Sequence, residues 1–195
     1  DVLGSRGLGD VYKRQVMDIV TCLFLYKEDA MQHVQTRSTT SALVLTAVLI
    51  ALATLLTMYT KIPVPGIRGY FNVGDVVIMT SALLLGRKYG AYIGAIGPAL
   101  ADLFLGYAVF VPITFVVKGI EGYLVGTVYN NKTTTSALVA TVVGGIIIVA
   151  GYFIAEYFVF DPGVAIASIV TNTIQAVMSV IISMILYAIL RKRLG

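Results

Sequence analysis

Three stretches of this chain carry no charged residue at all: 38–60, 133–155 and 162–190. A helix needs about 20 apolar residues to cross a bilayer, so each run is long enough to span. The middle of the chain, 74–130, is also apolar but is interrupted by Arg87, Lys88, Asp102, Lys118 and Glu121. It is too long for one span and has room for three shorter ones. The reading is six helices, at about 40–59, 74–86, 89–106, 111–129, 134–158 and 163–190. Composition agrees: 58% of residues are hydrophobic, 12% are charged, and the mean hydropathy is +0.90. Soluble domains are about 45–50% apolar and about 25% charged. The same numbers exclude a disordered chain, which is polar and charge-rich. The expected fold class is an all-α integral membrane protein.

The first thirty residues do not match the rest of the chain. "DVLGSRGLGDVYKRQ" (1–15) resembles a sequencing-adapter or assembly scar, and 1–30 is expected to be a non-native extension, with Met31 a plausible start and 31–195 one six-helix membrane domain. "GSRGLGD" lacks the Gly-Lys-Ser/Thr ending of a phosphate loop. The apolar patch Ile19–Tyr26 is too short to span and is poorly flanked for a signal peptide. Cys22 is the single cysteine and His33 the single histidine, so no internal disulfide, cysteine or histidine metal site, or histidine-based triad is expected. The chain is read as no enzyme, with no cofactor, no metal site and no nucleic-acid partner.

Lys and Arg favour cytoplasmic loops. Placing both termini inside puts Arg37, Arg87, Lys88, Lys132, Arg191, Lys192 and Arg193 inside, against Lys61 and Arg68 outside. Six transmembrane helices with cytoplasmic N- and C-termini are therefore expected. From Met31 onward the acidic residues are Asp75, Asp102, Glu121, Glu156 and Asp161, and this topology sets all five at or near the outer half. A site open to the outside is the simplest cause of that asymmetry.

Charges within a span cost about 2.5–3.5 kcal/mol each on insertion scales, so they face protein or a water-filled cavity. Lys118 and Glu121 stand at i and i+3 in "TFVVKGIEGYLVG" (114–126) and share a helix face. They are either a structural ion pair or the polar wall of a ligand pocket, and the nearby acids and amides favour the pocket. The last helix carries Ser168, Asn172, Gln175, Ser179 and Ser183, spaced 4, 3, 4 and 4, as one polar stripe. Asn172 and Gln175 offer both donors and acceptors and suit a neutral heterocycle, while the serines are expected to pack. Small residues recur at GxxxG spacing, at Gly86, Gly90 and Gly94 and again at Gly122 and Gly126, and Ala47 and Ala51 form an AxxxA pair. Such spacing serves close helix contact, inside the bundle or with an external partner. The loop "TKIPVPGIRGYFNVGD" is long, punctuated by proline and glycine, and a candidate lid. There is no Walker loop, so ATP binding of that kind is excluded, and no internal repeat of the kind that builds paired-repeat transporters.

Over residues 70–126 the order aromatic-x-N-x-GD, LLG-x-K-x-G, ADL-x-x-GY and P-x-TF-x-x-KG-x-EG resembles the S components of energy-coupling factor (ECF) transporters. It most resembles the riboflavin-type group, which includes hydroxymethylpyrimidine and pyridoxine carriers. In layout the resemblance extends over about Thr39–Arg193, more weakly outside the core. It implies a six-helix membrane protein of a prokaryotic cell membrane that captures a vitamin from outside, in a pocket near the outer surface roofed by the first interhelical loop. Its partners would be a transmembrane coupling subunit and two ATPase subunits, and Ala47 and Ala51 match the family's docking surface. Substrate identity does not carry over, because related S components bind chemically different vitamins.

The leading reading is a vitamin-binding S component. Its pocket candidates are Asn72, Asp75, Asp102, Lys118, Glu121, Glu156, Asn172 and Gln175, with Tyr70 and Tyr107 as stacking partners. The neutral amides and single cation incline the substrate toward a small pyrimidine or pyridine compound. The alternatives are an autonomous channel or secondary carrier that uses the charges as an ion path, and a purely structural membrane subunit. On the pocket reading, Lys118→Ala is expected to abolish or strongly weaken vitamin binding while leaving expression intact.

Overall fold

The computed structural model describes residues 39–60, 62–63, 70–129 and 133–194. The expected foreign segment 1–30 lies outside them, as do Lys61, Arg68 and Lys132. The six helices, in chain order, are α1 Thr39–Tyr59, α2 Asp75–Leu85, α3 Arg87–Phe104, α4 Phe110–Val128, α5 Thr134–Val159 and α6 Pro162–Leu194. Residues 45–192 form one compact unit. Among the described residues, α1, α4, α5 and α6 are long and apolar enough to cross a membrane. The helix positions read from the sequence agree to within about two residues, except that α6 runs four residues further. One feature the all-helical expectation lacked is a short ribbon, β1 Ile62–Pro63 and β2 Tyr70–Phe71. These pair antiparallel in the register Ile62↔Phe71, Pro63↔Tyr70 within the loop from α1 to α2.

Local chemistry explains the helix ends. The Thr133 side chain accepts from the Ser136 backbone N–H at 3.1 Å and caps α5. Asp161 Oδ1 accepts from the N–H groups of Gly163 and Val164 at 2.8 and 3.1 Å, with Pro162 opening α6. Gly86, at φ 87°, breaks α2 from α3 in one residue, a conformation that disfavours any side chain. The break between the helices expected at 74–86 and 89–106 is therefore Gly86 alone, and Arg87–Gly90 already belong to α3.

α2 has only 11 residues, too few to cross a bilayer, and residues 75–83 of it are buried without exception. It needs no amphipathic stripe because protein surrounds it. Val77 and Ile78 pack with Leu49 and Ala53 of α1 and Ile93 of α3. Met79, Ala82 and Leu83 pack with Val125 of α4, Ala140 and Ile148 of α5, and Ala176 of α6.

The glycine motifs lock α3 to α4. A Cβ on Gly90 would lie 2.6 Å from the Gly122 carbonyl oxygen. One on Gly94 would collide with the Lys118 carbonyl, and one on Gly126 with the backbone of Arg87. Bare backbone at these positions lets the helix axes approach, as small-residue packing requires. The glycine spacing thus serves internal packing. It fixes where Lys118 and Glu121 stand, because their helix is pinned to α3.

Candidate functional site

Helix direction alternates, so the C-terminal ends of α1, α3 and α5 and the N-terminal ends of α2, α4 and α6 share one end of the unit. The ribbon lies there too. Val73 N–H donates to Thr60 Oγ1 at 3.0 Å, fastening the segment after β2 to the end of α1. Of the five buried charged residues among those described, Asp75, Asp102, Lys118 and Glu156 come from these half-helices, and Glu121 lies just past the middle of α4.

Lys118 is 1% exposed. Its Nζ lies 2.6 Å from Asp75 Oδ1 and 3.1 Å from Glu121 Oε2, and 5.5 Å from the centroid of the Tyr152 ring. Gln175 Nε2 donates to the second Asp75 oxygen at 2.7 Å, and Gln175 Oε1 accepts from the Asn72 backbone N–H at 3.1 Å. Asn72 Oδ1 in turn accepts from the Gly74 N–H at 2.9 Å. The network runs from α4 through α2 and α6 to the loop beside the ribbon. In a low-dielectric interior such a chain holds only while every member is present. Lys118 sits about 12 Å along α4 from Phe110, at 1.5 Å per residue, so the network lies well within the span.

Above it is a small cavity of about 40 Å³. Lys118 and Gln175 reach its wall, together with Asn72, Asp102, Glu156 and Asn172. Six of the sequence-predicted residues therefore meet around one space. Asp75 and Glu121 do not line it; they hold Lys118 from beneath. Tyr107 is not in the wall either. It stands edge-on to Phe110, ring centroids 6.3 Å apart, and Phe110 is the aromatic that lines the cavity. The side chain of Tyr70 lies outside the described residues. Ala47 and Ala51 are exposed on α1, in a row with Leu43, Leu55 and Tyr59 at four-residue steps.

The sequence reading missed Thr57, Phe110, Thr114, Tyr152, Ser168 and Thr171, all in the wall. Several were within reach of helical periodicity. Phe110, Thr114 and Lys118 recur at four-residue steps on α4, as do Tyr152 and Glu156 on α5. Thr114 Oγ1 and Tyr152 Oη share a hydrogen bond at 3.0 Å. Ser168, expected only to pack, hydrogen-bonds the Glu156 carboxylate across the α5–α6 turn. Ser183 does pack, with its Oγ 3.5 Å from the Val76 carbonyl of α2.

The profile of the family described as "ECF-type riboflavin transporter, S component" matches residues 37–192. The chain belongs to this family. As an S component it is the substrate-binding subunit of an ECF-type vitamin transporter, working with an energising module. The S component is 42% identical over 145 residues to an uncharacterised protein of the gap 3′ region of Pyrococcus woesei, covering 73% of this chain and 96% of that one. It is 28% identical over 152 residues to the thiamine precursor transporter HmpT of Lactococcus lactis subsp. cremoris, covering 77% and 87%. Its fold resembles a solved bacterial ECF S component with a TM-score of 0.67 at 20% identity, covering 81% of this chain and 99% of that one. It also resembles the S component for biotin, with a TM-score of 0.61 at 18% identity, covering 80% and 94%. A transporter's binding subunit is not an enzyme, and none of the buried carboxylates needs a catalytic role.

Proposed function

We propose that this S component binds a one-ring pyrimidine or pyridine vitamin precursor, of the hydroxymethylpyrimidine type, in the cavity beneath the ribbon. The observation that carries this reading is the cavity itself. About 40 Å³ is room for ordered water, so a ligand of any size enters only as the wall moves. A one-ring compound asks for the smaller rearrangement of Phe110, Tyr152 and the loop. The two aromatics offer faces for a flat ring, and the amide, hydroxyl and carboxylate groups of the wall offer partners for its edge. The 28% identity to a thiamine precursor transporter supports the same class.

In this reading the ribbon end faces outward and both termini lie in the cytoplasm of a prokaryotic cell. Arg87 and Lys88, and Arg191 and Lys192, then mark the cytoplasmic end. The exposed row that includes Ala47 and Ala51 on α1 seats the coupling subunit of an ATPase-driven module. Calorimetric titration of the purified protein with hydroxymethylpyrimidine, pyridoxine and riboflavin tests the substrate. Tight binding of a one-ring compound with none of riboflavin is expected, and nanomolar riboflavin with no response to the others sinks the reading. Co-purification with an ECF module tests the docking row: Ala51→Leu is expected to lose the module and keep the vitamin, and a retained module removes α1 from the interface.

A further inference from the structure

α5 and α6 wall the cavity on their inner side, and a second space opens between them on their outer side. It is a groove of about 540 Å³, lined only by residues of these two helices. On α5 it extends from Val142 to Phe153, about 17 Å at 1.5 Å per residue, and on α6 from Ile169 to Ile181. Thr173 is the one lining residue with a polar side chain. Both helices are long and apolar enough to cross a membrane, so the groove is continuous with the surface that faces lipid.

Residue size gives the groove its shape. Gly145 and Ala176 are buried where the helices approach, and a Cβ on Gly145 would stand 3.2 Å from that of Ala176. Their neighbours Ile146 and Val177 stand out at 60% and 52% exposed. Small residues thus make the floor and branched ones the walls. Seven of the twelve lining residues are Val or Ile, whose χ1 is nearly fixed on a helix, so the slot keeps its form.

Dimensions decide what fills it. The volume divided by the length gives a cross-section of roughly 30 Å², about 6 Å across. A helix with its side chains is about 10–12 Å across, so a further helix does not seat in it. A single hydrocarbon chain is slimmer. The length is also close to half of the ~30 Å hydrocarbon core, which is the reach of one leaflet's acyl chains. Water finds no partners on such walls. An empty slot would forfeit the dispersion contacts of everything that lines it. Inside a bilayer, close van der Waals packing is what holds groups together, and a preformed slot supplies it.

We propose that the α5–α6 groove of the S component holds one acyl chain of a membrane phospholipid. On α6 the groove starts seven residues from Pro162 and stops thirteen short of Leu194, so the lipid belongs to the leaflet at the ribbon end. Phe153 and Thr173 of the groove directly follow Tyr152 and Asn172 of the cavity wall. The chain therefore packs behind the two helices that help to form the cavity and sets their spacing, whichever vitamin the cavity takes.

The test is native mass spectrometry of the full chain in detergent, with dioleoylphosphatidylethanolamine or dioleoylphosphatidylglycerol as the probe. The wild type is expected to keep one lipid, of either headgroup, at a collision energy that strips all others. Thr173→Phe and Ala150→Phe place a ring in the groove from exposed positions on the two helices, and each is expected to lower that occupancy about tenfold. Ile154→Phe, exposed on α5 but outside the groove, is expected to leave it unchanged. Added lipid should raise the Tm of the wild type and of Ile154→Phe but not of the two filled variants, and the same melting curves show that each variant is folded. No retained lipid in the wild type, or equal occupancy in all four proteins, overturns the site. Retention of one headgroup only overturns it as well, because nothing in the groove reads a headgroup. A wild-type dimer that Thr173→Phe disperses would give the groove to a second copy and overturn the lipid.

Discussion

Lys118 is clamped between Asp75 and Glu121 on two different helices, 2.6 and 3.1 Å from its Nζ. Replacing it with alanine strands two carboxylates inside the protein, and breaking a buried pair by removing one partner costs about 3–5 kcal/mol. Lys118→Ala is therefore expected to lower the yield and melting temperature of the purified protein as well as its vitamin affinity. That departs from the sequence reading, which expected expression to survive. The triple variant Lys118→Met, Asp75→Asn, Glu121→Gln is expected to recover much of the stability, because it removes the buried charge as a set. Thermal unfolding in detergent decides: a single variant as stable as wild type means the pair contributes nothing to the fold. The sequence showed that Lys118 and Glu121 share one face of α4 within a span and left open whether they pair with each other or face a ligand. Asp75, the nearer partner at 2.6 Å, comes from 43 residues earlier in the chain, and no local spacing reveals such a meeting.

Among the helices, the α3–α4 pair positions the site, and its closeness depends on hydrogen atoms where other residues carry Cβ. Gly94→Ala drives a methyl group into the Lys118 carbonyl, a backbone atom that cannot rotate away. Overpacking of this kind costs about 1–3 kcal/mol, and displacing α4 also displaces Lys118. Gly106→Ala is the contrasting case. It has open space around it but a φ of 81°, so its cost is backbone strain of about 1–2 kcal/mol without any shift of α4. Both variants are expected to melt earlier, but only Gly94→Ala should weaken the vitamin by more than its stability loss explains. Equal affinities in the two would disconnect the helix seam from the site. The seam was legible as GxxxG spacing. Its partner helix was not, because that spacing serves an internal neighbour and an external one equally well.

Across the protein from end to end, charge is segregated. Among the described residues, the surface cations Arg87, Lys88, Arg191 and Lys192 are at one end and the carboxylates other than the mid-helix Glu121 lie toward the other. With the ribbon end outward, a cysteine placed at Asp161 in a Cys22→Ser background is expected to react with a membrane-impermeant maleimide on intact cells. One at Lys88 should react only after the membrane is opened. The reverse pattern would invert the topology. Exposed aromatics at the ribbon end, Tyr59, Phe104 and Phe158, are placed to sit at a membrane interface, where aromatic rings concentrate.

Helix number, helix bounds to within about two residues apart from the end of α6, and family membership could all be read from the order of residues alone. They rest on apolar runs, caps and ordered motifs, which are properties of neighbours along the chain. Which polar groups answer one another could be read only from the folded chain. Folding turned Gln175 from a free ligand amide into a strut between Asp75 and Asn72, set Asp75 and Glu121 beneath the cavity, and brought Thr57 to its wall. The physical reason is that a buried polar group must find its partner wherever the fold puts one, and here the partners stand up to 107 residues apart.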